Sequence, residues 1–471
     1  MRWRVNSMAV FLTGMARLGF VTIMMTLAGC GTLYRTPDPD TPPLPARFAR
    51  SDTATKVASL ANVPIDRWWQ VFQDPKLDDL VNRVLARNNT LAAAALHLKA
   101  AEAQVHLAVT NPAATGSFTT ANSKTLNRNQ PWMPSDSLGF AVSYDLDLWG
   151  ALAATRDVAR FEARASAQDR DSIASSLVAN TVKAYFEVAA LNELTAFNSQ
   201  DLKDAREVLK LTQVLKDAGG VSALDIANAE QSLEALLAFQ STLSQQRVLA
   251  KSVIAALLDE DTSETLDELR LPLAAVPAPE NEVPSTVLAR RPDLKAAELR
   301  LHESLATVEA TRRSFYPDLA LTAGVGTSSI ALSRVLSDPL GTLSATLTFP
   351  FLQIDRVHFA TDAARDEYQA AAKSFRQTLR QAFADVDNAL SARTEDQLQL
   401  EHLEKSLQAA DNAERLSEVL FHSGAVPLQS LLNAQAARRA SAESLTSTRL
   451  QALQDYATLC LALGGGPLSG G

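Results

Sequence analysis

Residues 138–148 read LGFAVSYDLDL, and large apolar side chains occupy every second position of this stretch. Glycine, alanine, serine and aspartate occupy the positions between them. Such strict alternation is typical of a β-strand whose two faces meet different surroundings. About ten residues is also the length of a strand that crosses a membrane. The pattern therefore predicts either a membrane-spanning strand or a strand in a half-buried sheet of a soluble domain.

The same pattern returns at a fixed offset of 205 residues. At this offset residues 343–353 (LSATLTFPFLQ) fall on residues 138–148, and Pro317 falls on Pro112. Residues 424–426 (GAV) likewise fall on residues 219–221 (GGV). Self-similarity at a fixed period indicates duplication of one supersecondary unit. Two copies of a helix–strand–strand–helix unit favour an assembly built by symmetry over a catalytic domain.

The two repeats define the predicted organisation of the chain. Repeat 1 covers residues 66–258 and repeat 2 covers residues 291–463, with an equatorial linker at 259–290 between them and a flexible tail at 464–471. The strands are predicted near 116–123 and 138–148 in repeat 1, and near 319–327 and 343–351 in repeat 2. A helical hairpin follows each strand pair and turns at 218–222 and at 423–427. Its first arm, about 65 residues, would be roughly 100 Å long and would need neighbouring helices for stability.

The amino-terminal 29 residues are typical of a secretory signal, with arginines, an apolar stretch and small residues before a cleavage point. Residues 27–30 (LAGC) resemble a bacterial lipobox, so we predict a covalent lipid on Cys30 and no other cofactor. An ordinary signal with a chance cysteine is the alternative. Residues 30–65 are proline-rich and predict an extended linker. Cys460 lies in an apolar helical stretch and is predicted to be a core residue.

Charge and motif content exclude several classes of function. Without the three signal arginines, 41 basic residues face 53 acidic ones, a net charge of −12 that argues against a nucleic-acid partner. No stretch after residue 30 has the roughly 18 apolar residues of a transmembrane helix, so a membrane would have to be crossed by strands. The six histidines form no His-x-x-x-His pair, and no nucleophile elbow or phosphate loop occurs, which argues against an enzyme and against a metal site.

Four strands cannot close a barrel, because membrane barrels have at least about eight and an open edge in lipid leaves backbone groups unsatisfied. Three copies would supply twelve strands. We therefore predict an α+β membrane protein, a homotrimeric twelve-stranded β-barrel continued by a long α-helical barrel. The rival interpretation is a periplasmic coiled-coil scaffold lipoprotein, whose strands would face water and which would form no pore.

Three motifs carry a resemblance to a known family. Residues 283–294 (VPSTVLARRPDL), residues 69–78 (WQVFQDPKLD) and residues 315–317 (FYP) resemble signatures of TolC-type outer-membrane efflux lipoproteins of the NodT branch. The resemblance covers essentially the whole mature chain. It implies a lipid-anchored homotrimer in the outer membrane that forms the exit duct of a tripartite efflux pump. The implied partners are a periplasmic adaptor and an inner-membrane transporter, often of the resistance-nodulation-division class.

The resemblance also implies where the duct closes and where its partner binds. The family's gate positions fall on Asp225, Asn228, Ser430 and Asn433, of which only Asp225 is acidic. The tyrosine and arginine of the closing lock fall on Phe421 and Val426, so that lock is not expected here. The expected adaptor contacts are the turn residues Gly219, Gly220, Val221, Gly424, Ala425 and Val426.

Asp225 has a second interpretation that needs no gate. Ser222-x-x-Asp225 is the pattern of a capping box at a helix start. Capping and a pore-facing role are compatible, and the sequence leaves both open.

Overall fold

The computed structural model describes residues 65–108, 110–124, 131–260, 266–272, 285–330, 334–337 and 339–465. The predicted signal, Cys30 and nearly all of its linker lie outside these ranges. Seven α-helices fall within the described residues: α1 Pro75–Arg87, α2 Asn89–Leu107, α3 Ala151–Asp217, α4 Ala223–Leu258, α5 Pro292–Arg313, α6 Ile354–His422 and α7 Leu428–Ala462. Four strands fall there too: β1 Ala113–Ser123, β2 Met133–Leu146, β3 Asp318–Ser329 and β4 Leu340–Thr348. The short 3-10 helices are Ile65–Phe72, Leu266–Glu268, Ser285–Arg290 and Pro350–Leu352.

The four strands form one antiparallel sheet in the order β1-β2-β3-β4. The register pairs Phe140 of β2 with Gly116 of β1 and with Val325 of β3. On the far side of β3, Val325 pairs with Gly341 of β4. Strands that follow one another in the chain are therefore neighbours in the sheet, and β1 and β4 form its two edges.

The strand ends differ from those that the alternation predicts. β2 begins five residues before position 138 and stops at Leu146, because the Asp147 carboxylate accepts the amides of Leu152 and Ala153 (3.1 and 2.9 Å) and starts α3. β4 ends at Thr348 instead of 351, because Pro350 has no amide for the ladder and opens a 3-10 turn. β1 begins at Ala113 instead of 116, because its pairing with β2 continues to Ser143. β3 extends to Ser329, which still pairs with Asp136 of β2.

The helices form a wall four helices wide. In its half next to the sheet the order is α2, α3, α5, α6, and in the other half it is α4, α3, α7, α6. α3 and α6 have 67 and 69 residues, so each is roughly 100 Å long and runs through both halves. α2 meets the end of α4, where the Asn88 amide donates to Leu257 O at 3.0 Å. Asn88 also accepts the amides of Thr90 and Leu91, which breaks the predicted amino-terminal helical region into two helices.

The main hydrophobic core lies where the two halves of the wall meet. Trp68 is 1% exposed and packs edge-to-face against Tyr456, with ring centroids 6.0 Å apart. The ring of Phe72 also packs edge-to-face on Tyr456 and Phe186, with ring centroids 5.7 and 4.8 Å apart respectively. The amino-terminal 3-10 helix therefore joins α3 to α7 through aromatic side chains.

The start of α5 is held by a half-buried arginine. Arg291 forms two bonds to Asp293 (3.1 and 2.8 Å), one to Asp385 of α6 (3.2 Å) and one to the carbonyl of Ala462 at the end of α7 (3.3 Å). Gly464, with φ +77°, packs directly against the backbone of Arg291. Residues 464–465 thus form a cap on α7, which corrects the predicted start of the flexible tail.

The segment between α4 and α5 contributes to the core where it is described. Leu266, Leu269 and Leu271 are buried, and the Asn192 amide donates to the carbonyls of Leu266 and Leu269 (2.8 and 3.3 Å). None of the helices in the described ranges is long and apolar enough to cross a membrane. The same ranges contain no group of three or more His, Cys, Asp or Glu side chains able to hold a metal ion.

Candidate functional site

The two faces of the sheet differ in chemistry. Directly paired residues of an antiparallel sheet lie on the same face. One face, named the apolar face here, carries these residues on its four strands: Phe118, Leu138, Phe140, Val142, Tyr144, Leu321, Val325, Leu343 and Leu347. The opposite face, named the polar face, carries mainly serine, threonine, glycine and alanine. On the apolar face Phe140 is 58% exposed and Leu343 is 84% exposed, so this surface is uncovered in the single chain.

Aromatic side chains lie at both ends of the apolar face. At the helix end Trp149 packs edge-to-face on Tyr316, with ring centroids 5.6 Å apart, and its Nε1 donates to Pro317 O at 2.9 Å. Phe349 and Phe351 form a second aromatic pair there. Trp132 lies at the far end and is also exposed. Exposed tryptophan and tyrosine on either side of an apolar band are typical of a sheet that crosses a membrane.

The two helical hairpins end in turns with the same backbone geometry. Gly219 and Gly424 have φ of +75° and +73°. After α3 the amides of Gly219 and Gly220 donate to the carbonyls of Lys216 and Leu215, both at 2.8 Å. After α6 the amides of Gly424 and Ala425 donate to the carbonyls of Phe421 and Leu420 at 2.9 and 2.8 Å. This Schellman motif requires a left-handed residue, which is why glycine stands at both positions.

The first turn leads into a complete capping box on α4. The Ser222 hydroxyl accepts the amide of Asp225 at 3.3 Å, and the Asp225 carboxylate accepts the amide and the hydroxyl of Ser222 at 2.8 and 2.7 Å. These bonds from Ser222 hold the pKa of Asp225 below its usual value. The predicted capping role of Asp225 is confirmed. Its carboxylate is charged at neutral pH and lies at the tip of the molecule.

The second turn has no such cap. Pro427 precedes α7 and offers no side-chain hydrogen bond, and the amide of half-buried Ser430 donates to Pro427 O at 3.0 Å. Exposed Asn433 accepts a bond from Gln429 Nε2 at 2.8 Å. The candidate gate positions of the second hairpin are therefore polar and uncharged.

An apolar cluster brings the two hairpin tips together. Ala229 of α4 packs in one buried group with Leu428, Leu431 and Leu432 of α7. Val208, Leu209 and Phe421 complete the cluster from α3 and α6. Asn228 neighbours Ala229, and Ser430 and Asn433 flank the leucines of α7. Asn228, Ser430 and Asn433 thus lie beside this cluster, while Asp225 lies in the first turn of α4, before Ala229.

The outer membrane efflux protein model matches residues 80–259 and 283–465, well over half of the sequence. The chain belongs to the outer membrane efflux protein family. It is 28% identical over 470 residues to the pyoverdine export outer membrane protein OpmQ of Pseudomonas putida KT2440, covering 95% of this chain and 97% of OpmQ. It is 29% identical over 469 residues to the toluene efflux pump outer membrane protein TtgC of another P. putida strain, covering 95% of each.

Solved structures show the same fold. The outer membrane channel MtrE of Neisseria gonorrhoeae in its open state has a TM-score of 0.76 and 26% identity, over 92% of this chain and 98% of MtrE. The outer membrane channel CmeC of Campylobacter jejuni has a TM-score of 0.82 and 22% identity, over 92% of this chain and 95% of CmeC. As a member of the efflux family, the chain is an outer-membrane exit duct with a large periplasmic part.

At the two lock positions of this efflux protein the side chains are apolar. Phe421 has no hydroxyl, and its ring packs into the apolar cluster at the tips. Val426 is half-buried in the second turn. The family's tyrosine–arginine lock therefore cannot form from these two positions.

Sequence reasoning missed an ionic link between the hairpins. Arg438 of α7 contacts Asp201 of α3 at 3.0 Å, and its Nε lies 3.4 Å from Asp411 and 3.5 Å from Glu414 of α6. Burial raises the pKa of Asp201, while the Arg438 charge opposes this rise. The partners are up to 237 residues apart in the chain, and the only sequence signal was a pair of arginines at 438–439 in an otherwise apolar helical face.

Proposed function

We propose that three copies of this chain close a twelve-stranded barrel and a helical tube, which together form the exit duct of a tripartite efflux pump. The supporting observation is that both layers of the single chain are open. β1 and β4 are edges of the sheet, and an exposed strand edge in a membrane leaves amides and carbonyls without partners. Pairing β1 of one copy with β4 of the next would satisfy every edge.

The helical wall supports the same assembly. α2 and α4 lie at one edge and α6 at the other, with no extensive contact between α4 and α6 in the described part of the chain. Exposed apolar side chains follow both edges: Leu96 and Leu107 on α2, Val248, Leu249 and Val253 on α4, and Leu398, Leu416 and Val419 on α6. Apolar stripes on neighbouring long helices are the usual seam between helices. Lateral contact with further copies would bury them.

The partners follow from the same proposal. A periplasmic adaptor would contact the turns at 218–222 and 423–427, and an inner-membrane transporter of the resistance-nodulation-division type would supply the energy. A lipid on Cys30 would add an anchor beside the barrel. Relatives are named for export of pyoverdine and toluene, two chemically unlike cargoes, so the shared fold does not select one cargo.

Neighbouring residues on opposite faces of β4 test whether the apolar face meets lipid. Leu343 lies on the apolar face and Thr342 on the polar face. Leu343→Lys should reduce membrane insertion, because a lysine on the lipid face costs about 2–4 kcal/mol near the bilayer centre. Thr342→Lys is the matched control and should insert normally. Equal insertion of both variants, measured by detergent extraction of washed outer membranes, would refute the lipid-facing assignment.

Reconstitution tests the duct itself. Detergent-extracted protein should have the mass of a trimer and should give discrete conductance steps in a planar bilayer. A folded monomer without conductance would instead support the periplasmic scaffold.

The Asp225 gate is tested with a matched pair of cap variants. Three copies of Asp225 at the entrance would attract cations and hinder anions. Ser222→Ala and Asp225→Ala both remove the capping box, but only Asp225→Ala removes the charge. We expect raised conductance or altered ion selectivity in Asp225→Ala alone. Identical channels from both variants would leave Asp225 with its capping role only.

A further inference from the structure

The strands of the sheet carry charge of one sign. Within the described strands the charged residues are Asp136, Asp145 and Asp318, and none is basic. The strand register places these three aspartates at two different ends of the sheet. Asp145 pairs with Ala320 and Asp318 pairs with Thr348, which places both on the polar face at its helix end. Asp136 pairs with Thr120 and Ser329 at the opposite end of the sheet, on the side of the apolar face.

Asp145 and Asp318 are close to each other. Asp318 is two residues before Ala320 along β3, so it is the diagonal neighbour of Asp145 on the same face. Diagonal neighbours on adjacent strands lie about 7–8 Å apart. The two carboxylates therefore form one patch where the sheet meets the helices.

Neither carboxylate forms a bond that stabilises the described fold. The side chain of Asn111 accepts the backbone amide of Asp145 at 3.1 Å and donates to its carbonyl at 2.7 Å. Neither bond involves the Asp145 carboxylate. In the described part of the chain, the carboxylates of Asp145 and Asp318 form no hydrogen bond or ion pair. Asp147, two residues on, differs because its carboxylate caps α3.

Arginines at the adjoining ends of α5 and α6 are engaged elsewhere. Arg312 and Arg313 each lie 3.7 Å from Glu309, and Arg313 also donates to Gly150 O at 3.1 Å. Arg356 at the start of α6 donates to the Gln353 side chain at 3.1 Å. In the described part of the chain, none of these arginines therefore pairs with the carboxylate of Asp145 or Asp318.

We propose that Asp145 and Asp318 determine the charge selectivity of the duct, by forming a ring of carboxylates at the helix end of the barrel that favours cations over anions. The inference rests on the proposed trimer, because only closure of the sheet with its apolar face outward turns the polar face toward a lumen. Three copies supply six carboxylates. The remaining polar-face side chains in the described strands are mostly small and uncharged, so this ring would dominate the potential of the barrel lumen.

The expected effect has a distinctive dependence on salt. A barrel of twelve strands about 4.8 Å apart places the carboxylates roughly 10 Å from the pore axis. Six charges at that distance, screened with a Debye length of about 10 Å at 0.1 M salt, favour a monovalent cation on the axis roughly fivefold. At 1 M salt the Debye length falls to about 3 Å and the preference should nearly vanish.

The experiment measures the reversal potential of reconstituted channels in KCl gradients at low and at high salt. A potential that enriches the cation about fivefold depletes the anion by the same factor. Asp145→Asn/Asp318→Asn should therefore lower the potassium-to-chloride permeability ratio about twentyfold near 0.1 M and leave it nearly unchanged near 1 M. Asp136→Asn is the matched control, since it removes a strand carboxylate from outside the polar face, and its ratio should stay at the parent value. The double variant and its control are also made in chains that carry Asp225→Ala, so that carboxylates at the entrance cannot mask a change in the permeability ratio.

The outcomes separate this inference from the proposed duct. A double variant that conducts with the parent's selectivity in both backgrounds overturns the inference and leaves the duct intact. Parent protein that neither trimerises nor conducts overturns the duct. If the double variant does not assemble, Asp318→Asn alone, at an exposed position, should lower the ratio by a smaller factor, and an unchanged ratio in that channel also counts against the inference.

Discussion

Replacement of Gly464 by alanine should destabilise the protein more than the same change at Gly219. Both glycines have a left-handed backbone, with φ of +77° and +75°, and both end a helix through a Schellman motif. An alanine at either position therefore incurs the left-handed penalty of about 1–2 kcal/mol. A Cβ at Gly219 would meet no atom within 4 Å, so no further cost arises there.

The surroundings of Gly464 add a second cost. A Cβ there would lie 3.0 Å from Arg291 N and 3.1 Å from Arg290 C. These are backbone atoms, and the Arg291 side chain holds them in place through Asp385 and the carbonyl of Ala462. Overpacking of this kind typically costs about 1–3 kcal/mol. Gly464→Ala should thus lower the free energy of unfolding by about 1–3 kcal/mol more than Gly219→Ala.

The assay is denaturant unfolding of detergent-extracted protein, followed by tryptophan fluorescence, since Trp68 and Trp69 are buried in the main core. Gly424→Ala serves as a second control, because a Cβ there also meets no atom within 4 Å. Equal midpoints for the three variants would show that the joint between α5 and α7 accommodates a methyl group, and would refute the reasoning.

Three further variants test buried groups and the aromatic end of the sheet. Arg438→Met leaves the half-buried Asp201 without this partner, which should lower the free energy of unfolding by about 1–3 kcal/mol at pH 7. This loss should shrink toward pH 4 as the carboxylate takes up a proton, and a loss independent of pH would contradict the expectation. Burial raises the pKa of Asp396 to about 6, so its proton stabilises the folded state below about pH 4 and this stabilisation disappears as the pH rises through 6. Asp396→Asn should therefore have a flatter stability curve than the parent between pH 4 and 7, and parallel curves would contradict this. Trp149→Leu removes the 2.9 Å bond to Pro317 O and should lower the yield of the proposed trimer, measured as the heat-resistant band on gels. A yield like the parent's would argue against an anchoring role.

Local patterns in the sequence located the elements of the fold but not their limits. Alternation identified the stretch that became β2, yet the strand also includes polar residues from Met133 onward because their pairing with β1 continues. The capping box at Ser222 and the two glycine turns were also readable. Each of these depends on bonds that close within a few residues, so the sequence pattern is sufficient to predict them.

The candidate site was only partly predictable for the same reason. The sequence placed Asp225 at a helix start, but did not show that Phe421 packs against the leucines at the start of α7. It did not reveal the link from Arg438 to Asp201 or the joint from Arg291 to Asp385, whose partners are 237 and 94 residues apart. Such contacts depend on which helix faces meet, and the helical period leaves that choice open.

The sequence by itself determined that the chain has strands with alternating apolar residues and long helical hairpins, since periodicity and turn chemistry are local properties. Only the tertiary structure decided that the strands share one register, with an apolar and a polar face, and that Asp145 and Asp318 fall on the polar one. It alone decided that β1 and β4 are the edges of the sheet, and which helices lie at the two edges of the wall. The physical reason is that strand register and helix packing are set by partners far apart in the chain, and a shift of one residue would move every side chain to the other face.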